Sequence, residues 1–265
     1  MQRREFLRKG LAFGATALLP SVGLTANVGI LSSVVEPSMP IGVTVTNFHE
    51  ADSLYRAYRQ QHDTRAFIEQ TMLHHNEASL IRLTGAICVE TRRAATLMLG
   101  FVGTYQESND VLGRLLKDSD RIVRLIAEIS LKSVWARDGS KEHRQALYQV
   151  MRYIAIQKYG EAVHHANVLI GECPFYAEAI NQRAISQFAL KKFWESIKDS
   201  RAVLDLNPYH FGAAIGMGHA YLQLRDKSQA IESFRIALSI NPNLDKVRHH
   251  LERLELPRKP TVGQP

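Results

Sequence analysis

The sequence predicts an all-α fold, a solenoid of stacked helix-turn-helix units, and three observations carry that expectation. Between His143 and Leu244 a period of 34 residues recurs three times, and its copies close on Pro174, Pro208 and Pro242. Compact residues keep register with it: Ala162, Ser196 and Ala230 in one phase, Val150, Ala184 and Gly218 in another. Earlier in the chain a period of 32 residues sets Leu80, Leu83, Arg92, Ala95, Leu99 and Val102 against Leu112, Leu115, Arg124, Ala127, Leu131 and Val134. Periods of this length mean two helices per unit, and units that cannot bury their apolar faces alone must stack.

In order, the 265-residue chain opens with Arg3-Arg4-Glu5-Phe6-Leu7-Arg8 ahead of an apolar run, Leu11 to Leu19, that is short for a bilayer span. Such a run reads as an export signal, and Leu24-Thr25-Ala26 offers a small-residue cleavage site before Asn27. The pattern resembles a twin-arginine leader, with Arg3, Arg4, Phe6 and Leu7 carrying the resemblance and Gln2 standing where a hydroxyl residue is usual. The resemblance implies that residues 1–26 send a folded protein to the periplasm or out of the cell, with no transmembrane anchor after cleavage. The leader carries a net +3 of the chain's +7, which leaves +4 on the mature protein. That balance suits acidic envelope polymers or lipid headgroups, and an address outside the cytoplasm argues against nucleic acid.

Residues 27–46 hold Gly29, Pro37, Pro40 and Gly42 without a helical period and read as an extended arm. A helix is expected from Asn47, where Asn47 and Glu50 have capping-box spacing and Phe48, Ala51, Leu54, Tyr55 and Tyr58 share a face. A second is expected near Asp63 and Thr64, with Phe67, Ile68 and Met72 on its apolar side. Residues 47–136 form one helical region. Its 32-residue units resemble HEAT repeats: Arg92 and Arg124 open the second helices, Ala95 and Ala127 follow, and Asp118 and Asp120 precede the later copy at the turn. Asp138-Gly139-Ser140 is a hinge. Residues 143–255 comprise units 143–176, 177–210 and 211–244 and a capping helix, 245–255, with Val247, Leu251 and Leu254 on its apolar side and His249 and His250 available to water. Residues 256–265 read as a disordered tail.

The 34-residue units resemble the tetratricopeptide repeat. Tyr153, Gln187 and Tyr221 stand at the family's bulky eleventh position, Tyr159 and Phe193 near the inter-helix turn, and Leu206-Asn207-Pro208 and Ile240-Asn241-Pro242 match its endings. Ala146 and Ala214 depart from its tryptophan, and Gln149 and Arg183 from its leucine. The resemblance implies a concave groove lined by each unit's first helix. Counted from His143, Ala177 and Phe211, its positions include Leu147, Met151, Ile154, Ile185, Phe188, Ile215 and Leu222, with Arg144, Asn181 and His219 as the polar minority. The Lys/Asn/Arg clamp that some members close on a terminal carboxylate is replaced by Leu147, Met151, Gln182, Gly212 and Gly216. The expected partner is therefore a protein or peptide of the cell envelope offering an apolar or amphipathic segment, unless the apolar stretch from Val28 to Val45 fills the groove instead.

Little else points to chemistry. The sequence contains no phosphate loop, nucleophile elbow, zinc or haem motif, so no catalytic residue, cofactor or metal is expected. His74 and Glu77 have ligand spacing, whereas His164 and His165 point about 100° apart on a helix. Cys88 and Cys173 are expected to remain buried thiols, separated by too many repeats to meet. Gly212, Gly216 and Gly218 read as helix contacts. Trp194, at a turn tip, reads as an interface anchor or as a ring lying over Lys191 or Lys198. Two other classes stay open: an enzyme or cofactor-containing envelope protein, suggested by the leader, and a binder of acidic envelope polymers, suggested by the charge.

Overall fold

A computed structural model describes residues 45–256, and within them the chain is all α, thirteen helices with no strand. The leader with Arg3, Arg4, Phe6 and Leu7, the arm up to residue 44 and the tail from residue 257 lie outside the described residues. The first six helices are α1 (Val45–Gln61), α2 (Thr64–His74), α3 (Glu77–Leu83), α4 (Val89–Val102), α5 (Tyr105–Leu115) and α6 (Arg121–Trp135). The next six form three pairs: α7 (Lys141–Ala155) with α8 (Tyr159–Glu172), α9 (Ala177–Ala189) with α10 (Phe193–Leu206), and α11 (Phe211–Gln223) with α12 (Lys227–Ile240). Helix α13 (Asp245–Glu255) follows. Short polar side chains start many of them by accepting from otherwise orphaned backbone N–H groups. Asp63, Asn76, Thr104 and Asp120 do so for α2, α3, α5 and α6. Ser140 and His143 form a reciprocal capping box at α7, just after Gly139 turns the chain at φ +102°.

Both sequence periods survive as quasi-equivalent contacts. Arg92 Nη1 donates to the carbonyls of Ala86 and Ile87, and 32 residues on Arg124 Nη1 donates to those of Asp118 and Ser119. Leu80 and Leu112, Ala95 and Ala127, and Leu99 and Leu131 are all fully buried. In the 34-residue pairs Ala162, Ser196 and Ala230 are buried, as are Val150, Ala184 and Gly218. A Cβ on Gly218 would sit 2.6 Å from the Phe234 ring, so that position admits only glycine. A Cβ on Gly216 would touch Ser200 Oγ of α10 at 3.9 Å and one on Gly212 the His210 ring at 3.4 Å, ordinary contact distances, so neither position demands glycine as Gly218 does.

The first helices of the pairs, α7, α9 and α11, pack on one another in series, whereas α8 and α10, or α10 and α12, make marginal contact at most. The array therefore curves, with the first helices inside and the second helices splayed outside. Helix α13 continues it, packing Leu251 and Val247 against α12.

The two halves do not simply follow each other along one axis. Helices α6 and α7, though consecutive, make marginal contact at most, and α5 and α6 instead run along the edge formed by the loops between pairs. Asn109 Nδ2 donates to Asn207 Oδ1, Tyr105 Oη to the Leu206 carbonyl, Asn243 Nδ2 to the Leu116 carbonyl, and Asn241 Nδ2 to Glu128 Oε2. The Tyr209 ring lies on the backbone of Gly113, where any side chain would overlap it, and its hydroxyl donates to Asp110. In the first pair Cys173 replaces the loop asparagine, and there Tyr176 Oη donates to the Ala136 carbonyl at 2.8 Å.

Candidate protein-binding groove

The inner face is built by α7, α9 and α11, and its two ends differ. At the start of α11, Trp135 from α6 stacks on His210 with centroids 4.2 Å apart and tilts against Phe211 at 5.5 Å. Its indole N–H donates to Asn109 Oδ1, and the Lys132 ammonium lies over the Phe211 ring. Beneath them His210 accepts the Ala213 N–H at Nδ1, which leaves Nε2 to carry the proton and donate to Glu178 Oε2 at 2.9 Å. Glu178 is itself buried and takes further donors from Asn181 and Gln182. At this covered end the buried imidazole and carboxylate satisfy each other.

The other end is open. Met151, Ile185, Phe188, Ile215 and Leu222 are half-buried, and His219 is exposed. Phe188 meets Phe193 edge-on at 5.5 Å. The remaining groove positions are not accessible. Leu147 is buried against Leu169, Tyr176 and Ala179, Ile154 against Val150, Ala162 and Ala166, and Asn181 is turned to Glu178. Far along α11, the His219 ring meets the rings of Phe234 on α12 and His250 on α13, with centroids 5.2 and 5.8 Å apart. His250 thus turns inward to these rings, against the expectation that it faces water.

Other residues singled out in the sequence find separate places. His74 bonds Glu50 while Glu77 accepts from Thr104 and Ser108, so the two do not converge, and the described residues hold no cluster of metal-ligating side chains. His165 stacks on Tyr153 at 4.8 Å. Both cysteines are thiols, but Cys88 is exposed, because it caps the N-terminus of α4 and does not lie within a helix as expected. Trp194 is 63% exposed, meets Tyr221 edge-on, and has neither Lys191 nor Lys198 over its ring. Sequence reading missed Trp135, His210 and Glu178, which close the groove's covered end. The only signal was a tryptophan in the apolar phase of Ala127, Leu131 and Val134, four residues after Leu131.

No described helix is long and apolar enough to cross a membrane. No protein-family model matches the chain. It is 26% identical over 126 residues to a TPR repeat-containing protein of Rhizobium etli, covering 48% of this chain and 61% of that one. It is 26% identical over 112 residues to the Hsp70-Hsp90 organizing protein of Triticum aestivum, covering 41% and 19%. The chain thus spans less than two thirds of either relative. Among solved structures it is similar to the first TPR of Spaghetti (RPAP3) bound to an HSP90 peptide, with 22% identity over 44% of this chain and 92% of that one and a TM-score of 0.42. It is also similar to the TPR2AB domain of yeast Sti1 in complex with pHSP90, with 16% identity over 79% and 95% and a TM-score of 0.40. None of these names an enzyme, and the name of the Rhizobium relative supports the tetratricopeptide reading of the helix pairs.

Proposed function

We propose that this protein is an exported binding module, a scaffold, adaptor or assembly factor of the cell envelope, that holds an apolar or amphipathic segment of another protein in the open end of its groove. The observation that carries this reading is the row Met151, Ile185, Phe188, Ile215 and Leu222, five uncharged side chains that rest on the core clusters of adjoining inner helices and stay partly exposed. Such a surface gains from desolvation at about 25 cal/mol per Å² buried. An amphipathic helix or extended apolar strand fits it by side-chain spacing. Leu147, Met151, Gln182, Gly212 and Gly216 stand where a carboxylate clamp would be, so affinity comes from apolar contact rather than from a gripped chain terminus. The name of the wheat relative, an organizing protein for two other proteins, supports a binding role of this general kind.

The test is a selection of displayed peptides on the mature protein, repeated with Ile185→Asp and Leu222→Asp. The expected result is enrichment of apolar-patterned peptides by the wild type and at least tenfold weaker binding by both variants, with melting temperature nearly unchanged. A lowered melting temperature would mean that the protein fills this groove itself, and full binding by both variants would remove the groove from consideration. Export rests on the leader. Replacing Arg3 and Arg4 together by lysine is expected to strand the precursor in the cytoplasm with its fold intact, and undiminished export would leave a general secretory signal in its place.

A further inference from the structure

On the side of the array away from the groove, the splay of the outer helices leaves a cleft along α10 of about 390 Å³, lined by Trp194, Ile197, Lys198, Arg201, Ala202 and Asp205. Those residues recur every three or four positions, so one whole face of α10 forms its floor. At its head stands Trp194, 63% exposed, touching only the edge of Tyr221 among the aromatic rings. Cations gather there. Lys191 and Lys192 precede α10, Lys198 lies one turn into it, and Arg225 and Lys227 flank the next inter-helix turn, which Asp226 ties to Tyr221 by a backbone hydrogen bond. All five are exposed, and none has an ion-pair or side-chain hydrogen-bond partner among the described residues. Arg201 is held by the Tyr221 hydroxyl. Asp205 alone stands at the far end.

We infer that this cleft is a second binding surface, for an extended acidic segment of a protein that sets one aromatic or apolar side chain against Trp194. Unpaired lysine and arginine beside an exposed tryptophan supply long-range attraction for acidic groups and a rigid ring for the contact. The span from Trp194 to Asp205 is about 16 Å of helix, which matches about five residues of extended chain. A concave channel of that length suits a strand of polypeptide better than the plane of a lipid surface. Asp205 gives it direction: the acidic end of the ligand lies at Trp194, and a neutral or basic end lies at Asp205.

The chain has two tryptophans, and Trp135 is buried, so a change in exposed-tryptophan fluorescence reports on Trp194. The probe is the acetylated, amidated peptide Glu-Asp-Phe-Gly-Ser, acidic at one end and neutral at the other, titrated at low salt into the full chain, with Lys-Lys-Phe-Gly-Ser as its basic control and vesicles containing anionic lipid as the competing class. The acidic peptide is expected to perturb the Trp194 signal and to weaken with added salt, while the basic peptide does nothing. Measured by labelled-peptide anisotropy, Trp194→Ala and Lys198→Glu are each expected to lose about tenfold in affinity. Both positions are exposed, so the melting temperature should not move, and Leu222→Asp in the groove should leave this binding intact. Equal binding of both peptides, unchanged affinity in Trp194→Ala, or binding to vesicles with none to the acidic peptide would overturn the inference.

Discussion

At the turn before α6, one carboxylate does two things. Asp120 accepts the Val123 N–H at 2.9 Å, which starts the helix, and takes the Arg93 guanidinium at 2.9 and 2.7 Å through both oxygens. Beside it Arg92 pairs with Asp118 at 3.0 Å, so two Arg–Asp pairs tie the start of α4 to the α5–α6 turn. The Arg93 guanidinium beside Asp120 holds its carboxyl at about 2, below the ordinary 3.8. A depressed folded-state value stabilises the fold above the unfolded value, and that contribution is lost as pH falls through about 4 toward 2. Asp120→Asn keeps a capping oxygen and removes the charge. It is expected to cost about 1–2 kcal/mol at neutral pH in denaturant titrations, with the gap closing as pH nears 2. A gap that stays constant with pH would mean that the ion pair adds nothing.

Helix by helix, the periods made the all-α class legible, because burial of a fixed phase leaves a trace that composition cannot hide. The cap at Asp63 was equally legible, since a short acidic side chain before an apolar phase has few other uses. Less legible was α1, which begins at Val45, two residues before the expected Asn47, because β-branched residues and a nearby proline argued for extended chain. The inter-helix turns of the three pairs pass through Gln157, Lys191 and Arg225 at φ of 58°, 62° and 62°. These lie 34 residues apart in the left-handed region, yet none is the glycine or asparagine that would announce it. Packing of the flanking helices fixes the turn, and local preference is overridden. For the same reason Gly212 and Gly216 could not be told from Gly218 by sequence: only the position of Phe234 separates them.

Across the whole molecule, the groove positions counted from the repeat register differ in burial. Met151, Ile185, Phe188, Ile215, His219 and Leu222 share the open end, while Leu147, Ile154 and Asn181 are withdrawn into the packing. What the register cannot show is the lateral approach of α5 and α6, because its contacts join residues 98 to 127 positions apart and follow no period. The sequence does carry the polar half of that joint in Asn207, Asn241 and Asn243. Asn207 and Asn241 fold their own loops by accepting the Tyr209 and Asn243 N–H groups at Oδ1, and all three reach the first half: Asn207 accepts from Asn109, Asn241 donates to Glu128, and Asn243 accepts from Arg124 and donates to the Leu116 carbonyl. Trp135 is the apolar half. It is 3% exposed, and it touches His210 and Phe211 on one side while bonding Asn109 on the other. Because this ring lies between the halves, they should unfold together, and hydrogen exchange of α4–α6 and of α9–α12 should report one common opening energy. Trp135→Ala is expected to lower global stability by about 3–5 kcal/mol and to split that behaviour, with α4–α6 exchanging before α9–α12. Trp135→Phe, which keeps most of the ring contact and loses the hydrogen bond to Asn109, should fall between. Unsplit exchange in Trp135→Ala, at a stability within about 1 kcal/mol of the wild type, would show that the asparagine loops alone hold the edge together.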